Sequence, residues 1–237
     1  AEVDGIVRDA LDYAAEIGNQ PVGTVSGDIT TAFGGGSFVD GVWTGGSRDD
    51  RASESALGNL VAESIRSSLA DLPDGAQIGV TNSGGLRAEL WDTQAEFGET
   101  AVPGLADGQI SYSQALAVLP FNNTMGLVTL TGAQFAQLLE QQWQRNPDGT
   151  VPSRPYLQLG LSDNVTYTYD ATRAEGDRIT SITVDGELMD PEAEYRIGTL
   201  SFLIAGGDNF RILTEGSDKV DTGLLDYEAW VNYLGSN

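Results

Sequence analysis

The sequence predicts a single α+β domain with a mixed β-sheet flanked by helices. Its 237 residues suit one large globular domain, and they contain no repeat, no low-complexity tract and no linker that would divide the chain. Apolar residues recur at helical spacing in the first half, whereas much of the second half alternates apolar and polar residues as strands do. We therefore expect one domain over residues 1–237.

Five segments are predicted to be helical. In the leading segment, residues 1–20, six apolar residues between 4 and 17 share one face before Gly18-Asn19 ends the helix. Thr131 and Gln134 have the spacing of a capping box, and a turn at 146–149 closes the helix that they open. The predicted helices are residues 4–17, 53–70, 113–119 with Ser113 as cap, Thr131 to beyond Trp143, and 222–234 with Gly235 as C-cap.

Seven segments are predicted to be strands. Asp185-Gly186 is typical of a two-residue hairpin turn and joins two of them. Residues 32–50 are rich in glycine and are expected to form a long surface loop, a hairpin or an insertion. Residues 91–109 are expected to form an acidic loop. The predicted strands are residues 77–81, 124–130, 156–159, 165–169, 179–184, 187–189 and 194–200.

The charge of the chain excludes polymeric anions as partners. It carries 35 acidic and 12 basic residues, a net charge of −23, and Lys219 is the only lysine. A field of this sign repels nucleic acid polymers and anionic membrane surfaces, although a few arginines can still hold one small anion. No apolar run approaches the ~20 residues of a membrane span. We expect neither nucleic acid binding nor a membrane-spanning segment.

The chain contains no histidine and no cysteine. Nucleophile systems built on histidine, histidine-ligated zinc, thiolate metal sites and disulfides are therefore excluded. We expect no catalytic residue, no metal ligand and no cofactor in this chain. Because it starts at Ala1 without a methionine or a leader, we also expect a processed product or part of something longer.

Two glycine turns, each after a predicted strand, carry a charged residue. They are Gly84-Gly85-Leu86-Arg87 and Gly206-Gly207-Asp208. An arginine on such a turn offers forked donors to a phosphate or carboxylate, and an aspartate accepts the two hydroxyls of a ribose. The alternative is that both are merely tight turns, since short glycine motifs are weak signals.

Three phenylalanines lie near these turns. Phe121 follows a predicted helix end, whereas Phe202 and Phe210 bracket the second turn. Two exposed rings would clamp a planar base. The alternative is that each phenylalanine, considered by itself, is a buried core residue and not a ligand contact, because phenylalanine is usually buried.

Five segments, in order, resemble the motifs of the 5′-nucleotidases. They are Arg51–Leu60 (an arginine before LGNL), Asn82–Arg87 (NGGGIR), Ala117–Asn123 (VLPFGN), Tyr156–Gly160 (FLQVSG) and Phe202–Phe210 (NFLAxGGDGF). Together they cover about residues 50–212. The chain is similar to the C-terminal, substrate-binding domain of the secreted 5′-nucleotidase/UDP-sugar hydrolase family.

The resemblance implies how a nucleotide would be bound. Arg51 and Arg87 would contact its phosphate or ribose side, and Asn82 would hydrogen-bond it. The base would lie between Phe121 and Phe202. Asp208 would accept the ribose hydroxyls, with Arg48 a possible third arginine and Gly84, Gly85, Gly206 and Gly207 supporting the turns.

The resemblance also implies a division of labour. In that family an N-terminal metallophosphoesterase domain holds two metals and the catalytic residues. The expected partners of this chain are therefore a nucleotide or nucleoside and such a domain in the same polypeptide, with divalent metals there. Alone, the chain would bind nucleosides or nucleotides but would hydrolyse nothing. The whole protein would be exported, and would be extracellular or located at the cell surface.

The alternative is a non-catalytic extracellular surface or interaction module that keeps the fold without substrate binding. It is motivated by the acidic surface and by Ser83 and Asn122, which stand where the family has glycines.

Overall fold

The computed structural model describes residues 2–39, 42–44, 46–48 and 50–236. Its helices are α1 (Glu2–Gly18), α2 (Ala56–Ala70), α3 (Tyr112–Val118), α4 (Gly132–Glu140), α5 (Ser201–Ile204) and α6 (Asp226–Ser236). Its strands are β1 (Pro21–Thr24), β2 (Phe33–Gly34), β3 (Ser37–Val39), β4 (Val42–Thr44), β5 (Ser47–Arg48), β6 (Ile78–Asn82), β7 (Gln109–Ser111), β8 (Thr124–Thr131), β9 (Leu159–Leu161), β10 (Val165–Tyr169), β11 (Ile179–Val184), β12 (Glu187–Leu188), β13 (Glu194–Leu200) and β14 (Ser217–Leu225).

A five-stranded mixed sheet organises these elements, in the order β14-β8-β13-β6-β9. Strands β13 and β6 run parallel, with Ile197 beside Ile78, and the other neighbouring pairs run antiparallel. The carboxyl ends of β6 and β13 therefore meet the start of β8, where Leu200 pairs with Met125. We call this edge the site end of the sheet. The α+β prediction is confirmed.

Helices that pack on the sheet complete one apolar core. Helix α2 packs against β6, β9 and β13, and α6 packs against α2 and α3. Burying each large apolar side chain contributes roughly 1.5–3 kcal/mol. The core includes Leu57, Val61, Ile65, Ile78, Val80, Phe135, Ile197, Phe210 and Trp230.

Strands with regular alternation lie where the sequence predicts them. The predicted strands 165–169, 179–184 and 194–200 coincide with β10, β11 and β13. Asp185 and Gly186 both have positive φ, 53° and 80°, as the tight turn between β11 and β12 requires. The predicted capping box of α4 is also confirmed.

Two predicted helix starts are wrong. Helix α2 begins at Ala56 because the Ser55 side chain accepts a hydrogen bond from the Gly58 backbone. The cap of α3 is Ser111, which forms a capping box with Gln114, and Ser113 lies inside the first turn. In both helices the capping serine is the one whose hydroxyl accepts a hydrogen bond from the backbone N–H three residues later.

The predicted extension of α4 to Trp143 is also wrong, since α4 ends at Glu140. Trp143 instead forms an isolated bridge with Tyr156, and their rings pack edge to face at 5.0 Å. The strand predicted at 156–159 is consequently displaced to β9, which begins at Leu159.

The predicted closing helix begins four residues too early. Residues 217–225 form β14, which pairs with β8, and α6 starts only at Asp226. The open edge of β8 gains backbone partners in this way. Leu224 is consequently 42% exposed instead of packed, and Gly235 lies inside α6.

The predicted helix near the N-terminus is confirmed as α1, but its apolar face is uncovered, with Ile6 and Leu11 about two-thirds exposed. The glycine-rich segment forms the pairs β2–β5 and β3–β4, and residues 40, 41, 45 and 49 within it lie outside the described residues.

In the described ranges no helix is both long and apolar enough to cross a membrane.

Candidate functional site

The predicted binding residues are carried by segments that border the site end of the sheet. Asn82 is the last residue of β6, and Arg87 follows it in the same loop. Phe202 lies in α5, directly after β13, and Asp208 lies in the short helical turn that follows. Phe121 precedes β8. Parallel β6 and β13 thus deliver both glycine turns to one edge.

Asn82 holds Asp208 in place across 126 residues of sequence. Its side-chain nitrogen donates to Oδ2 of Asp208 at 2.6 Å. Asn82 is buried, and its Oδ1 has no hydrogen-bond partner among the described residues. The Asn82 amide therefore orients the Asp208 carboxylate, and Asp208 is only partly buried.

Three polar groups converge on Gly84. A Cβ built there would lie 3.0 Å from Nη1 of Arg51 and 3.3 Å from both Nδ2 of Asn82 and Oδ2 of Asp208. A Cβ on Gly85 would likewise lie 3.2 Å from Oδ1 of Asn82. The glycine loop therefore leaves the space in which the Arg51 guanidinium approaches the Asn82–Asp208 pair.

The backbone of Arg51 is fixed from two sides. Its carbonyl accepts a hydrogen bond from the Gln158 backbone at 2.7 Å and from the Ser83 hydroxyl at 3.4 Å. Ser83, which departs from the family glycine, thus adds a contact to the site.

The second glycine turn presents Phe202. The ring is 45% exposed and lies against Gly207, where a Cβ would come within 2.4 Å of the ring carbon Cζ. Gly206 has φ 86° and Asp208 has φ 49°, so the turn holds a non-glycine residue in the left-handed region. Aspartate, like asparagine, tolerates that conformation better than most non-glycine residues.

Phe121 presents the other exposed ring. It is 52% exposed, and the guanidinium carbon of Arg87 lies 5.0 Å from its ring centroid, within cation–π range. Asn122 has φ 54°, a left-handed conformation that asparagine tolerates better than most non-glycine residues. Phe210, in contrast, is fully buried and belongs to the core.

Arg48 is committed elsewhere. Its Nε donates to Oε1 of Glu89 at 2.8 Å, and the buried Glu89 also accepts from the backbone and hydroxyl of Thr31. The Arg48 side chain therefore forms an ion pair with Glu89 inside the fold. Within the described part of the chain, no group of three or more Asp, Glu, His or Cys side chains is arranged to hold a metal ion.

The site end offers binding groups: two exposed rings, an oriented carboxylate and two arginines. The residues that fix these groups could not be predicted from the sequence. Gln158 and Asn123 both lie inside the motif segments, but their partners, Arg51 and Asp226, are more than 100 positions away in sequence. Only the fold brings these partners together.

Comparison with known proteins identifies the family of this chain. Residues 22–215 match the model of the 5′-nucleotidase C-terminal domain. The chain belongs to the 5′-nucleotidase C-terminal domain family. Within this family it is similar to the trifunctional nucleotide phosphoesterase protein YfkN of Bacillus subtilis, with 30% identity over 78% of this chain and 11% of that protein.

Two further relatives extend over nearly the whole chain. The cell wall protein Lmo0130 of Listeria monocytogenes is 27% identical over 99% of this chain and 27% of its own length. The crystal structure of the 5′-nucleotidase precursor from Thermus thermophilus superposes with a TM-score of 0.66 and 26% identity, over 98% of this chain and 40% of that one. The chain thus spans between about a tenth and two fifths of these relatives.

Proposed function

We propose that this domain binds the nucleoside part of a nucleotide for a metal-dependent phosphohydrolase whose catalytic site lies in an N-terminal domain of the same polypeptide. One observation carries the proposal. Two half-exposed phenylalanine rings border the same sheet end as an oriented carboxylate and two arginines. These are the groups that a base, a ribose and a phosphate require.

Each group suits one part of a nucleotide. Phe121 and Phe202 would stack on the base, which is worth roughly 1–3 kcal/mol per base in single-strand binders. Asp208, oriented by Asn82, would accept two ribose hydroxyls. Arg51 and Arg87 would donate to the phosphate and offset locally the net charge of −23.

Hydrolysis is assigned to the other domain. The metals held there would supply an activated water, and this chain would hold the substrate in the orientation for attack. Two relatives are named as a nucleotide phosphoesterase and a 5′-nucleotidase, and this chain covers only part of each. Another is named a cell wall protein, which supports an exported, cell-surface location.

The experiment is a calorimetric titration of the chain with adenosine and with AMP. Wild type should bind in the millimolar range or more tightly. Phe121→Ala and Phe202→Ala should each weaken binding by roughly fivefold to 100-fold, from the loss of one stacking ring. The matched control is Tyr169→Ala, because Tyr169 is as exposed as Phe121 but lies on β10, in the separate three-stranded sheet β10-β11-β12.

A folded wild type that binds neither ligand would contradict recognition by this chain alone. Repeating the titration on the full-length polypeptide would then decide between the two remaining possibilities. Binding there would mean that the other domain completes the pocket. No binding there would favour the non-catalytic surface module.

A further inference from the structure

The loop that carries Phe121 is tethered to the C-terminal helix. Nδ2 of Asn123 donates to Oδ2 of Asp226 at 3.0 Å, and the Asp226 backbone donates to the Asn123 carbonyl at 3.0 Å. This two-point tether joins residues 103 positions apart. Pro120, Phe121 and Asn122 are all exposed, so the tether lies at the first partly buried residue after the exposed stretch.

Asp226 is rigidly placed. It is 1% exposed, and its Oδ1 accepts a hydrogen bond from the Tyr227 backbone at 2.8 Å. Burial raises the pKa of the Asp226 carboxyl, and the bonds from Asn123 and Tyr227 act in the opposite direction. The hydrogen bonds from Asn123 and Tyr227 hold the two carboxylate oxygens of Asp226 in one orientation.

The same helix also holds the other side of the loop. The buried indole of Trp230 donates to the Ala115 carbonyl in α3 at 3.2 Å. Helix α6 therefore fixes both α3, which precedes Phe121, and Asn123, which follows it. Helix α6 lies outside residues 22–215, the part that matches the family domain.

We propose that Asp226 is a positioning residue: through Asn123 it sets the position of the Phe121 ring and thereby the affinity for the base. This inference rests on the proposed function, because the ring matters only if a base stacks on it. Phosphate and ribose contacts, which come from other segments, should not depend on Asp226.

An exchange of the two side chains tests the tether. Asn123→Asp alone places two carboxylates face to face, and Asp226→Ala removes the acceptor. The double variant Asn123→Asp/Asp226→Asn restores an amide-to-carboxylate hydrogen bond in the reverse direction. A purely stabilising tether would be rescued by the same exchange, so the readouts must report the Phe121 ring itself.

Two readouts separate positioning from folding. The first is the side-chain Nε–Hε resonance of Arg87, which the Phe121 ring shifts because the guanidinium lies 5.0 Å from the ring centroid. The second is the affinity for adenosine compared with ribose 5-phosphate. Both are measured on variants whose thermal unfolding shows that they are folded.

The expected result is specific. Asn123→Asp and Asp226→Ala should move the Arg87 resonance toward its position in Phe121→Ala and weaken adenosine binding roughly tenfold, within the range for loss of one stacking ring. Ribose 5-phosphate binding should stay unchanged, the double exchange should restore both readouts, and Asp226→Ala should have no further effect in the Phe121→Ala background.

The inference is overturned if the Arg87 resonance does not move in the single variants, or if the double exchange does not restore it. It is also overturned if Asp226→Ala weakens adenosine binding as much in the Phe121→Ala background as in wild type. If wild type binds no adenosine, recognition by this chain alone fails instead, and the adenosine readout moves to the full-length polypeptide. The Arg87 resonance then still decides whether Asp226 positions the ring.

Discussion

At the scale of single residues, the site depends on two glycines whose lack of a side chain leaves space for neighbouring groups. Gly84 leaves space for Arg51 Nη1 beside the Asn82–Asp208 pair, and Gly207 leaves space for the ring of Phe202. Neither role follows from a turn conformation, because neither glycine has a positive φ. Close approach of side chains is the physical reason for glycine at both positions.

We expect Gly207→Ala to weaken adenosine binding about tenfold, because the new methyl group displaces the Phe202 ring from its stacking position. The ring is half exposed, so it can move with little loss of stability. Gly27→Ala is the matched control, since a Cβ there meets nothing within 4 Å. Calorimetric titration measures both, and an unchanged affinity in Gly207→Ala would contradict the assigned ring position.

Sequence could predict the identities of these residues but not how they are joined. Motif resemblance picked out Asn82 and Asp208 separately. Their hydrogen bond spans 126 positions and depends on the parallel pairing of β6 with β13. Arg48 was proposed as a nucleotide contact, and only the structure shows its ion pair with the buried Glu89.

At the scale of secondary-structure elements, the sequence pattern predicted whether a segment is a helix or a strand better than it predicted where that segment begins and ends. Strands β10, β11 and β13 alternate clearly and were predicted to the residue. Strand β14 was missed because its pairing with β8 is irregular, with register shifts at both ends. Pairing with the open edge of β8, a tertiary contact, determined the conformation of β14 in spite of its local sequence pattern.

The corrected cap of α3 gives a test. Ser111→Ala should lower the free energy of unfolding by about 1 kcal/mol, because it removes the capping-box acceptor. Ser113→Ala should have less than half that effect, since Ser113 is exposed inside the first turn. Urea unfolding measures both, and a larger loss in Ser113→Ala would show that the cap is assigned to the wrong serine.

Helix α1 should contribute little to the stability of this chain. Its residue Ile6 is 65% exposed, so Ile6→Ser should change the unfolding free energy by less than about 0.5 kcal/mol. Leu57 of α2 is fully buried, and Leu57→Ala should cost about 2–5 kcal/mol. Equal losses in the two variants, measured by urea unfolding, would show that the α1 face is covered in solution.

At the scale of the whole molecule, charge sets the conditions for stability and binding. The net charge of −23 makes the folded chain repel itself, whereas Arg51 and Arg87 place two positive charges near the site end of the sheet. Composition alone predicted the absence of histidine chemistry and the need for a local cation at any anion site. It could not predict which end of the sheet would hold those arginines.

Salt should therefore stabilise the chain. Raising NaCl from about 0.1 to about 1 M shortens the Debye length from about 10 to about 3 Å, which screens the repulsion. We expect the melting temperature at pH 7 to rise, and the rise to shrink near pH 4.1, where the net charge vanishes. A melting temperature that falls with salt at pH 7 would mean that ion pairs outweigh repulsion.

An amide chemical-shift map of the chain during titration with adenosine tests the proposed site most directly. If adenosine binds between Phe121 and Phe202, the largest shifts should cluster at the site end of the sheet, in residues 82–87, 121–123 and 202–208. Saturable shifts centred elsewhere, for example on β10 and β11, would place the ligand away from Phe121 and Phe202 and contradict the proposed site.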